Sequence, residues 1–87
     1  MNGKLIMACI TAQPSCKRII ENAAEMADRY GAKLCVVTAQ PKKQNAKLRA
    51  RDMRCLDDLS HQTGREITVI YSDDPLISLV NYAKNSD

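Results

Sequence analysis

The chain has 87 residues and a formal net charge of +3, with 45% apolar and 26% charged residues, which fits one small soluble domain spanning 1–87 with a modest core. Aromatic residues make up 3%, all tyrosine, so a base-stacking platform lacks material and nucleic acid is not the expected partner. No apolar run approaches the roughly 20 residues of a membrane span, and the start lacks a signal-peptide core, so no membrane association and a cytoplasmic location are expected.

The first element is the unbroken apolar run Lys4 to Thr11 (KLIMACIT). Continuous rather than alternating hydrophobicity marks a strand covered on both faces, as in a parallel sheet. Ala12, Gln13 and Pro14 then form a short connection, with Ser15 expected as the N-cap of a helix. Along that helix Ile19, Ile20, Ala23, Ala24, Ala27 and Tyr30 recur at three- and four-residue spacing, and Gly31 ends it.

Lys33 to Ala39 (KLCVVTA) repeats the buried-strand signature, and Pro41 stops it. Asn45 is expected to cap a second helix whose inner face uses Leu48, Cys55, Leu56 and Leu59, with Gly64 closing it. Glu66 to Tyr71 (EITVIY) reads as a third strand. Asp74-Pro75 then pairs a cap with proline at the first helical position, opening a helix that carries Leu76, Leu79, Val80 and Ala83. The order β-α-β-α-β-α, with right-handed crossovers, gives an α/β class with a parallel sheet.

Charge is distributed unevenly. Lys42, Lys43, Lys47, Arg49, Arg51 and Arg54 oppose only Asp52 in the middle of the chain. That basic patch is either a solvated surface or a dock for phosphate, nucleic acid or an acidic protein partner.

The chemistry available is narrow. Four cysteines occur without a CxxC pair, and the single histidine, His61, has no cysteine three or four residues away. Reduced thiols and no metal site are therefore expected. Neither GxGxxG nor GxxxxGK[ST] is present. Cys16, beside Lys17 and Arg18 at a helix start, has no neighbouring base, and the Asp57-Asp58 and Asp73-Asp74 pairs read better as surface and cap. No nucleophile-base pair is legible, so an enzyme is not expected.

Open parallel sheets bind ligands beyond the carboxyl ends of their strands. Here those ends are Thr11 to Ser15, Thr38 to Gln40 and Ser72 to Asp74. The Ser15 hydroxyl and the amides of Cys16 and Lys17 are expected to be free for phosphate, unless they form only an ordinary helix start.

The segments KLIMACIT, IIENAAEMADRYGAKL, CVVTAQP and DDPLISLVNYAKN together resemble the universal stress protein (Usp) family. The likeness is closest to the Usp-like domain of osmosensitive potassium-channel histidine kinases of the KdpD type. It implies a three-layer α/β/α fold, with strands ordered 3-2-1 here and 3-2-1-4-5 in the family. It also implies a non-enzymatic sensing or stress-signalling module that binds an adenine nucleotide at the ends of strands 1 and 2. Thr11 stands where ATP-binding members place aspartate, and the family's glycine-rich phosphate loop follows strand 4, so weak binding is implied. Pro14-Ser15-Cys16 and Val37-Thr38-Ala39 occupy the spacing of two motifs associated with cyclic di-AMP in some kinase-linked members. The resemblance thus gives Thr11, Ala12, Gln13, Ser15, Cys16, Thr38 and Ala39 as nucleotide-binding residues, with ATP, AMP or cyclic di-AMP as ligand and no cofactor required. A bare strand-1 edge further suggests a homodimer, or a longer protein whose remainder covers it.

Overall fold

The computed structural model describes residues 4–85, so the outermost residues of the 1–87 domain lie outside the described residues. Three strands, β1 (Leu5–Cys9), β2 (Lys33–Gln40) and β3 (Ile67–Tyr71), alternate with three helices, α1 (Cys16–Tyr30), α2 (Ala46–Thr63) and α3 (Pro75–Asn85). The sheet is parallel and open, ordered β1-β2-β3, with Met7 opposite Cys35 and Val37 opposite Thr68. It is the expected α/β architecture with strand order 3-2-1.

Alternate side chains of a strand point to opposite faces. Ala8, Ile10 and Val36 point to the face where Cys16 and Ile20 of α1 and Leu56 and Leu59 of α2 close the main core. Val37 and Cys35 point the other way, and the Cys35 thiol lies 3.5 Å from the Tyr82 hydroxyl of α3. So α1 and α2 share one face while α3 alone serves the second.

Local signals explain most boundaries. Gly31 takes φ 62°, and the amides of Gly31 and Ala32 donate back to Asp28 and Ala27, a double closure that needs the left-handed glycine. Gly64, at φ 66°, ends α2. Asn45 caps α2 through its Oδ1, which accepts from the Lys47 amide at 2.8 Å. Pro75 opens α3, with the Asp74 carboxylate accepting from the Ile77 amide at 3.4 Å.

Three expectations are corrected. Ser15 sits at the N-cap position in helical geometry and makes no side-chain cap. Leu48 is exposed rather than part of the α2 inner face, and so are Ile19 and Tyr30 of the α1 stripe. On α3, Leu76 and Val80 are also exposed, and no residue of that helix is fully buried. One helix laid over three strands cannot be surrounded on its flanks, which is the physical reason.

Candidate functional site at the carboxyl ends of β1 and β2

A cavity of about 670 Å³ opens at the carboxyl ends of β1 and β2. Thr11, Ala12, Gln13 and Pro14 form one wall, Ala39, Gln40 and Pro41 the second, and Gln44, Arg51, Asp52 and Cys55 the third. Its volume lies within the roughly 300–1,000 Å³ of small-molecule sites. A neighbouring cavity of about 240 Å³ shares Pro14, Arg51 and Cys55 and adds Arg54 and Asp58, so the groove continues along α2.

The turn after β1 is built by its own backbone. The Gln13 amide donates to the Thr11 carbonyl at 2.8 Å, Cys16 to Gln13 at 3.0 Å and Lys17 to Pro14 at 3.2 Å. Those bonds engage the amides of Cys16 and Lys17, so contrary to expectation neither is free for phosphate. Anion binding at this end therefore falls to side chains. Arg51 is the cation in the main wall, with its Nε 3.9 Å from the Asp52 carboxylate. Asp52 is itself held, since Gln44 Nε2 donates to it at 2.9 Å. The Gln44 Oε1 is buried and has no partner, leaving one unused acceptor on a residue of the cavity wall.

Of the seven residues expected at the site, Thr11, Ala12, Gln13 and Ala39 line the cavity. The other three do not. Thr38 is 1% exposed, and its hydroxyl accepts a 3.4 Å bond from Gln40 Nε2. Cys16 is buried in the core, with its thiol 3.6 Å from the Thr11 hydroxyl. Ser15 lies on the surface outside the lining. Thr38 and Cys16 thus shape the wall from behind.

The basic patch divides in the same way. Lys47, Arg51 and Arg54 recur at helical spacing along one side of α2, and Arg51 and Arg54 line the groove. Arg49 belongs elsewhere: its guanidinium lies 5.2 Å from the Tyr71 ring centroid and donates to the Lys42 carbonyl at 3.0 Å. Lys42, Lys43 and Lys47 are exposed, and among the described residues no salt bridge engages them or Arg54.

Sequence reasoning did not place Gln44, Asp52 and Cys55 in the site. The signal was present in the spacing of Arg51, Asp52 and Cys55, which lie along one side of α2; Gln44 joins them from the loop before α2 through its bond to Asp52. Cys55 has its pKa raised, first by burial and then by the charges of Asp58, Asp52 and Cys16, so its thiol holds its proton and is a poor nucleophile. Among the described residues no group of three metal-ligating side chains gathers, and no helix is long and apolar enough to cross a membrane. No protein-family model matches this chain, and no curated protein matches it.

Proposed function

We propose that this protein is a non-enzymatic, universal stress protein-like sensing module that binds an adenine nucleotide weakly in the cavity at the ends of β1 and β2. The observation that carries this reading is the cavity itself. It lies where open parallel sheets hold ligands, it has nucleotide-scale volume, and it combines apolar walls with a cation. Ala12, Pro14, Ala39 and Pro41 offer a surface for the base, while Gln40 and Gln44 offer amide groups to its edge. Arg51 meets phosphate, with Arg54 further along the groove. Asp52 faces the ribose hydroxyls as an acceptor, and its charge weakens phosphate binding. Affinity is micromolar or poorer, about −8 kcal/mol or less favourable. Calorimetry with ATP, AMP and cyclic di-AMP tests this: Arg51→Glu abolishes the heat, whereas Ser15→Glu, outside the lining, leaves most of it. Absence of heat for all three at millimolar ligand rejects the reading.

A second reading is favoured by the unpaired cations of the 42–54 segment, namely docking of an acidic protein partner through Lys42, Lys43, Lys47 and Arg54. Capture of such a partner falls steeply with salt and is lost when Lys42, Lys43 and Lys47 all become glutamate. Capture insensitive to both removes it.

A further inference from the structure

We infer that Cys16 and Cys55 form a modification site, a thiol pair across the α1–α2 contact that hydrogen peroxide converts into an intramolecular disulfide. The inference stands independently of nucleotide binding, although the bond lies in the wall of the same cavity.

The helix register places the pair. Both helices run from the carboxyl end of one strand back to the start of the next in a parallel sheet, so α1 and α2 run side by side in the same direction. Their register shows at successive levels. Ala24 and Asp28 share a cleft with Gln62 and Thr63. One level nearer the carboxyl ends of the strands, Ile20 and Leu59 are buried together at 0% and 2% exposure. At the next level Pro14, in the turn that enters α1, shares a groove with Arg51 and Cys55. Cys16 lies one helical turn before Ile20, and Cys55 lies one turn before Leu59. The two thiols therefore occupy the same level, and Cys55 packs against the buried cluster that contains Cys16. Packed helix axes stand about 8–10 Å apart and Cα atoms lie about 2.3 Å from each axis. Facing Cα atoms are thus roughly 3.5–5.5 Å apart, overlapping the roughly 4.4–6.8 Å that a disulfide spans.

The other two thiols are kept apart from this pair. Cys35 points to the opposite face of the sheet, where its thiol meets the Tyr82 hydroxyl, and strand alternation puts exposed Cys9 on that face as well.

Cys55 is the point of attack, since it lines both cavities while Cys16 is 3% exposed. Its thiolate sulfur attacks one peroxide oxygen and the O–O bond breaks. The departing hydroxide takes up the proton that the thiol released, giving water and a sulfenic acid at Cys55. The Cys16 sulfur then attacks that sulfur: the S–S bond forms, the S–O bond breaks, and hydroxide leaves with the Cys16 proton as a second water. Two electrons pass from the sulfurs to the peroxide. The first step is slow, because burial, then Asp58, Asp52 and Cys16, raises the Cys55 pKa and leaves little thiolate. Oxidation also removes the Cys16 proton from the 3.6 Å contact with the Thr11 hydroxyl, a group of the cavity wall.

The test uses the full chain carrying Cys9→Ser and Cys35→Ser, which retains this pair alone and leaves the α1–α2 core untouched. Prolonged treatment with millimolar hydrogen peroxide is expected to remove both free thiols while sedimentation still finds a monomer. Tryptic fragments 5–17 and 55–65 are then recovered joined, and dithiothreitol separates them. Because the bond closes a loop of about 40 residues in its native arrangement, Tm rises by at least about 5 °C. In the wild-type chain Cys55→Ser leaves Cys16 reduced under the same treatment. Thiols still free when the urea-unfolded chain is fully oxidised overturn the inference, as does sulfinic acid at Cys55 with Cys16 unchanged. A linkage that lowers Tm, or that joins two chains, also overturns it.

Discussion

Replacing Ile20 by alanine tests how unequally the two faces of the sheet contribute to stability. Ile20 is fully buried among Ala8, Val36, Leu56 and Leu59, so the change removes three carbons from a closed site. At roughly 0.8 kcal/mol per carbon the transfer loss is about 2.4 kcal/mol. Incomplete collapse of the cavity brings the total to about 3–4 kcal/mol, within the usual range for such truncations. A chain of this size has only about 4–13 kcal/mol in hand, and each kcal/mol moves the midpoint by roughly 4–8 °C, so Tm falls by about 12–30 °C. Leu76 on α3, 72% exposed, supplies the contrast, and Leu76→Ala costs less than about 0.5 kcal/mol. Urea denaturation followed by far-ultraviolet circular dichroism reads both values. An Ile20→Ala loss below about 1 kcal/mol, or a Leu76→Ala loss equal to it, refutes the assignment of the main core to the α1–α2 face.

Two further outcomes follow from single contacts. Asn45→Ala removes the acceptor of the Lys47 amide and lowers stability by about 1 kcal/mol, while Ser15→Ala, which removes no cap, changes it by less than about 0.5 kcal/mol; equal losses contradict the difference in capping. The Cys55 thiol, its pKa raised by burial and by Asp58 and Asp52, reacts with iodoacetamide more slowly than exposed Cys9 near pH 8.5, and Asp58→Asn speeds it. Because the folded thiol holds its proton more tightly than the unfolded one, its contribution to stability is complete below the unfolded thiol pKa of about 8.5 and is lost as pH rises from there through the folded value. Mass-resolved labelling that finds Cys55 as reactive as Cys9 contradicts this account.

The framework was legible because its signals are local. Unbroken apolar runs marked the strands, although only β2 is covered on both faces while β1 leaves Leu5 and Cys9 exposed; Gly31 and Gly64 supplied left-handed helix ends, and Asn45 and Pro75 marked helix starts. What escaped depended on neighbours. Ser15 looked like a cap, yet Gln13 and Pro14 wind the chain into a tight turn before α1, so their carbonyls take the Cys16 and Lys17 amides. The α1 stripe was read wider than its buried line of Cys16, Ile20 and Ala27, because periodicity cannot tell that α1 has a helix on only one flank. At the site, the strand ends located the cavity and the residues after β1. Thr38 lies beside Val36 on the α1–α2 face, but there it is buried and its hydroxyl is bonded to Gln40, which the strand pattern does not reveal. The third wall depends on α2 returning over the end of β2, a long-range relation that no local pattern encodes.

The most direct test of the nucleotide reading is isothermal titration of the 87-residue protein with AMP, ATP and cyclic di-AMP, repeated on Arg51→Glu. The account predicts saturable binding of at least one ligand at micromolar or weaker affinity and its loss in the variant. No heat from any ligand at millimolar concentration, or heat undiminished in Arg51→Glu, contradicts it.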